Sequence, residues 1–226
     1  EKCIKDYNAK LLCLKLQGGH PDFGDKSPEQ EIELAKEIFQ QFKIPMIILG
    51  CQDEEKDRKI LPGCAKVLEN ERLLIGSAVQ DNYKDLAAAL SSTTHSLIAE
   101  SPIDVNIAKQ LNILIADEGF PLQRIIINPT IGALGYGLEY AYSIMERARL
   151  AALSGDKTLA SPFICFVGQE VSKAKEAKTE DFNQAILWEA ITAVALIHSG
   201  ANLLVMRHPE AANRVNGYIE KIFNSL

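Results

Sequence analysis

The feature that most constrains this chain is a repeated alternation. Seven times, a short β-branched or aliphatic run is followed by residues with helical spacing. The runs are Lys10–Leu16, Pro45–Gly50, Leu73–Gly76, Ser96–Glu100, Arg124–Asn128, Pro162–Val167 and Asn202–Met206. Their centres are apolar rather than alternating, most clearly in Arg124–Asn128, as expected of strands buried on both faces of a parallel sheet. Strict strand–helix alternation places the strands parallel, with helices as crossovers. A doubly wound open sheet and a (β/α)8 barrel both fit. Seven units preceded by a helical tail (Glu1–Ala9) favour the barrel, with one strand and most of one helix expected before Glu1. A barrel without that strand would expose two sheet edges, so another segment is expected to close it. The reading is one incomplete TIM-barrel domain over residues 1–226, and a first residue that is not Met suggests a processed or cut chain.

Local signals set the helices. Ser27-Pro28-Glu29-Gln30 has capping-box spacing with Pro at the first helical position, so a helix is expected from there to Phe42. Pro62-Gly63 is expected to interrupt or end the first part of a helix over 54–69. Leu138, Tyr142, Met145 and Leu150 can share one helical face. Phe182–Ser199 reads as a strongly apolar helix carrying Trp188, and Gly168–Asp181 as a lysine-rich loop or irregular helix.

Composition excludes several classes. A net charge of -6 argues against a nucleic-acid surface or an anionic membrane. No apolar run reaches membrane-spanning length, and a cytoplasmic protein with reduced thiols is expected. The five cysteines and four histidines form no zinc or iron–sulfur spacing.

In either architecture ligands meet the carboxyl ends of the strands. Those ends offer Gln17-Gly18-Gly19-His20, Gly50-Cys51-Gln52-Asp53, Ser77 with Gln80 and Asn82, and Ser101 with Asp104 and Asn106. The later strands add Asn128-Pro129-Thr130 with Gly132, Gly135, Tyr136 and Gly137, then Gly168-Gln169-Glu170, then Arg207-His208. There is no Ser/His/Asp signature, HExxH or Walker A loop. Amides, glycines and hydroxyls suit a broad, neutral, amide-decorated or heteroaromatic ligand held by hydrogen bonds. Bland roles compete: Asp104 and Asn106 as helix caps, Arg207 paired with Glu170, His208 as a turn residue, and Trp188 as core.

Four segments together resemble a known family: NPTIGALGYGLEYAYSIMER (128–147), SPIDVNIAKQLNILI (101–115), ILWEAITAVALIHSGANLLVMRHPEA (186–211) and GSAVQDNYKDL (76–86). They are similar to the small subunit of the corrinoid iron–sulfur protein, whose archaeal equivalent is the delta subunit of the acetyl-CoA decarbonylase/synthase complex. The resemblance covers nearly the whole chain. It implies a TIM barrel that is a non-catalytic methyl carrier in the reductive acetyl-CoA pathway. A corrinoid (cobalamin-type) would lie at the barrel mouth, shared with a large subunit that carries the iron–sulfur cluster. Transient partners would be a methyltransferase and acetyl-CoA synthase. The cofactor-binding residues implied are Ser101, Asp104, Asn106, Asn128, Thr130, Gly132, Gly135, Tyr136, Gly137, Gly168, Gln169, Arg207 and His208, with no metal ligand. Family chains also carry a further N-terminal region that supplies the first barrel strand. The Asn128-Pro-Thr-Ile-Gly turn is also similar to the pterin-holding turn of dihydropteroate-synthase-like barrels, so a pterin-binding methyltransferase is the alternative.

Overall fold

The computed structural model of the chain describes residues 1–179 and 181–224. In order, the elements are α1 (Lys2–Lys5), β1 (Leu12–Lys15), α2 (Pro28–Phe42), β2 (Met46–Leu49), α3 (Glu54–Val67), β3 (Leu74–Ala78), α4 (Tyr83–Ser91), β4 (Ser96–Glu100), α5 (Val105–Asp117) and β5 (Ile125–Asn128). There follow α6 (Leu138–Leu153), β6 (Ile164–Cys165), α7 (Val167–Val171), α8 (Phe182–His198), β7 (Leu203–Leu204) and α9 (Pro209–Phe223). All seven expected strands are present. The chain divides into two compact units. One comprises Ala9–Ser101 and Asn106–Ile127, and the other Lys2–Asn8, Pro102–Val105 and Asn128–Leu226.

In the first unit β1 to β5 lie side by side in sequence order. The pairs β1–β2, β2–β3 and β3–β4 are parallel, with Cys13 opposite Ile47 and Ile48 opposite Ile75. Ile48, Ile75, Leu97 and Ile125 are fully buried, packed with Ala35, Ile60, Cys64, Leu86 and Leu90 from the crossover helices. α2 starts as its sequence dictates: Ser27 N donates to Gln30 Oε1 at 2.9 Å, and Gln30 N donates to Ser27 Oγ at 3.4 Å. α3 corrects one expectation, since the helix runs through Pro62 without a break. Pro62 forfeits one backbone bond, but Gly63 lets Ile32 of α2 pack where a Cβ would stand. That close helix–helix approach outweighs the missing bond.

Glu31 is an unexpected feature of this unit. It is completely buried in the first turn of α2, and neither carboxylate oxygen has a hydrogen-bond partner. A Cβ at Gly18, in the turn after β1, would lie 2.5 Å from Glu31 Oε1. Burial raises the Glu31 pKa, opposed by the nearby Lys26 and Lys56. A carboxyl whose pKa is raised on folding adds stability at low pH that is lost as pH rises through the folded value. Glu31→Gln, which cannot ionise, is therefore expected to flatten the pH dependence of stability. Urea unfolding at pH steps from 4 to 9 should show the variant gaining on the wild type as pH rises. A constant difference across that range would contradict the assignment.

In the second unit β6 and β7 pair in parallel, Ile164 opposite Leu203 and Cys165 opposite Leu204. α8 packs against α6, α7 and α9. Two expectations are corrected. The sixth strand, expected over 162–167, ends at Cys165, and Val167 already opens α7. The stretch after it is irregular helix, α7 followed by a short 3-10 turn over Lys175–Ala177; Glu180 of that stretch lies outside the described residues. The buried face of α6 is Leu138, Ala141, Ile144, Met145 and Ala148, whereas Leu150 is 64% exposed. Small alanines in the i, i+3, i+7 stripe allow closer packing than the Tyr142 and Leu150 stripe. All five cysteines are free thiols, and burial pushes Cys64 and Cys165 up to about 12. Among the described residues no helix is long and apolar enough to cross a membrane.

Candidate functional site

Three strand-end turns of the second unit are tied together by direct contacts: 128–137 after β5, 166–178 after β6 and 205–208 after β7. The first begins at Asn128, buried at the end of β5, whose Oδ1 accepts from Thr130 N at 3.2 Å. That bond closes the turn around Thr130, which sits in the left-handed region at φ 53°. A Cβ at Gly132 would collide with the Tyr136 carbonyl oxygen, so this glycine permits the chain to cross itself. Gly135 differs, because its φ is 78° and a Cβ there would meet nothing within 4 Å. Gly137, at φ 95°, leads into α6.

Tyr136 projects from this turn, 47% exposed, and hooks the turn after β6. Its hydroxyl donates to Glu176 Oε2 at 2.9 Å and accepts from Lys175 N at 3.1 Å. On the other side Leu134 N donates to Thr192 Oγ1 of α8 at 3.4 Å. Tyr136→Phe is expected to cost under about 1 kcal/mol of global stability, since both bonds are exposed. It should nonetheless speed amide exchange at Lys175 severalfold. Exchange measured by mass spectrometry checks this, and unchanged protection over 173–178 would contradict it.

The ends of β6 and β7 are locked face to face. Gly168 N donates to Val205 O at 3.0 Å, and a Cβ on Gly168 would collide with the Arg207 backbone. Beneath Arg207 lies Glu189 of α8, 3% exposed. Its Oε1 accepts from Arg207 N at 2.5 Å and from His208 N at 3.3 Å. Burial raises the Glu189 pKa, and these two N–H groups and the Arg207 and His208 charges oppose the rise. His208 stacks edge-on against Phe182 at 4.9 Å between ring centroids, and Phe182 is 67% exposed. Glu170 pairs with Lys173 at 2.7 Å instead of with Arg207, whose side chain is exposed.

The structure thus brings Asn128, Thr130, Gly132, Gly135, Tyr136, Gly137, Gly168, Gln169, Arg207 and His208 onto turns of one unit. Asp104, just before α5, belongs to the same unit, while Ser101 at the end of β4 and Asn106 in the first turn of α5 belong to the other. Gln169 is half-buried, and its carbonyl accepts from Ser172 Oγ at 2.8 Å. Sequence reasoning missed Glu189, Thr192 and Phe182. Glu189 carried a signal, being the single acidic or basic side chain between Asp181 and His198. Among the described residues no group of three or more His, Cys, Asp or Glu could hold a metal ion.

Solved structures similar to this chain include dihydropteroate synthases. The enzyme of Xanthomonas albilineans with 4-aminobenzoic acid superposes with a TM-score of 0.66 at 13% identity, over 99% of this chain and 83% of that one. The enzyme of Thermus thermophilus in complex with 4-aminobenzoate gives 0.68 at 12% identity, over 96% and 85%. Identity this low speaks for fold alone, and the fold is the TIM barrel. The family model of the CO dehydrogenase/acetyl-CoA synthase delta subunit matches residues 1–215, and the chain belongs to that family. Acetyl-CoA decarbonylase/synthase complex subunit delta of Methanothermobacter thermautotrophicus is 33% identical over 214 residues, covering 92% of this chain and 55% of the relative. The corresponding subunit of Methanopyrus kandleri is 34% identical over 218 residues, covering 94% and 54%. The chain spans about half the length of these relatives.

Proposed function

We propose that this chain is the small, corrinoid-cradling partner in a methyl-carrying heterodimer that serves acetyl-CoA synthesis. The observation that carries the reading is the family match across residues 1–215. The chemistry of the second unit's turns fits the cofactor. A corrinoid is a broad ring fringed with amides, and it needs flat apolar contact together with scattered donors and acceptors. Tyr136 and Phe182 offer exposed ring faces, and Gly135 leaves open space where a side chain would intrude. Arg207 offers five N–H donors to amide or phosphate oxygens. When bound, the corrinoid supplies the cobalt chemistry of methyl transfer. The residues of this chain bind and orient it. The turns are braced against α8, so little order has to be gained on binding.

Anaerobic co-expression with the family's large subunit tests this reading. The expected product is a one-to-one complex with corrinoid absorbance. A chain that stays monomeric and never acquires corrinoid would contradict it. The alternative, a pterin-binding methyltransferase, would match the pterin's amino-pyrimidinone edge with an amide or carboxylate such as Asn128 or Asp104; Asn128 Oδ1 already accepts one bond, from Thr130 N. Calorimetric titration with methyltetrahydrofolate separates the two, because heat of binding without any corrinoid requirement would favour the pterin reading.

A further inference from the structure

α8 is apolar along nearly its whole length, and Glu189 is its one acidic residue. Burying a carboxylate in such a helix is unfavourable unless hydrogen bonds compensate. Here both compensating donors are consecutive backbone N–H groups, those of Arg207 and His208, on one oxygen. Three residues further along the helix, and so on the same face, Thr192 Oγ1 accepts from Leu134 N in the glycine turn. One face of one helix therefore pins two of the three turns. The third follows, because Gly168 is seated against the Arg207 backbone. The first unit carries the same device, where Asp57 of α3 accepts from Cys51 N at 2.7 Å and Gln52 N at 2.9 Å after β2.

We propose that Glu189 is the positioning residue of the candidate site: by holding the two N–H groups it fixes the β7 end so that Arg207 and His208 face the ligand in one orientation. The ligand class, a corrinoid, rests on the function proposed above; the positioning role rests on the geometry alone. Glu189 is buried beneath the turn and acts through Arg207 and His208. What matters is an acceptor oxygen at the end of a four-atom reach, more than the charge. Gln has that reach and an oxygen, whereas Asp has the charge but is one methylene short.

The test is amide exchange of the chain alone, followed by corrinoid affinity of the chain assembled with the large subunit, in wild type, Glu189→Gln, Glu189→Asp and Glu189→Ala. Glu189→Ala and Glu189→Asp are expected to speed exchange at Arg207 and His208 about tenfold or more and to weaken corrinoid binding by a similar factor. Exchange over β1 to β4 should stay at the wild-type rate, which a general loss of stability would not permit. Glu189→Gln is expected to restore both readouts to within about threefold of wild type. Should Glu189→Ala fail to fold, the contrast between Gln and Asp still decides. Rescue by Asp but not by Gln, or unchanged exchange at residues 207 and 208 in Glu189→Asp, overturns the proposal. If the wild-type assembly binds no corrinoid, the proposed function fails while the exchange contrast still judges Glu189.

Discussion

Gly168→Ala is expected to destabilise the chain by about 3 kcal/mol or more, lowering its Tm by roughly 6–12 °C. The added methyl would collide with the Arg207 backbone nitrogen and lie 2.5 Å from the Arg207 Cβ. Neither obstacle is the flexible end of a side chain. Relief requires the ends of β6 and β7 to part, which breaks Gly168 N to Val205 O and lifts Arg207 from Glu189. Gly135→Ala makes a useful contrast. Its methyl meets open space, so the cost is the left-handed backbone alone, about 1 kcal/mol. Thermal unfolding of both variants checks the pair, and equal shifts would show that close approach is not what requires Gly168.

The second large effect is expected in the first unit. Asp57→Ala removes both acceptors that hold the turn after β2, where Gln52 adopts φ 72°. Cys51 is buried, so its N–H cannot turn to water; Gln52 is exposed and can. Hydrogen bonds to a charged acceptor contribute about 1.5–3 kcal/mol each, and an unsatisfied buried donor costs a comparable amount. A loss of about 2–4 kcal/mol in urea unfolding is expected, with Asp57→Asn falling between because it keeps one oxygen. A loss below about 0.5 kcal/mol would mean that the turn holds itself without the carboxylate.

The alternation of strand and helix was legible because parallel strands buried on both faces are written as apolar runs. The capping box at Ser27 was legible for a similar reason, since its chemistry lies within four residues. What failed depended on distant partners. Pro62 signals a break, yet Ile32 of α2 packing over Gly63 keeps α3 whole, and no local pattern reports that contact. Val167 continues an apolar run, yet it opens α7, where Gly168 is seated against Arg207, thirty-nine residues later. The candidate site divides in the same way. Its turns were found from the strand ends, but the residues bracing them, Glu189 and Thr192, sit on a helix that reads as plain core. Among the glycines of these turns, Gly132 and Gly168 accommodate the chain's own backbone, whereas a Cβ at Gly135 would meet nothing within 4 Å.

If the three turns braced by α8 form this chain's contact with a shared corrinoid, as proposed, anaerobic assembly with the corrinoid-loaded large subunit should change amide exchange there most directly. Exchange measured before and after assembly is expected to show new protection in all three of 130–137, 168–178 and 205–208. Assembly with bound corrinoid but no added protection in any of these turns would contradict the proposed contact.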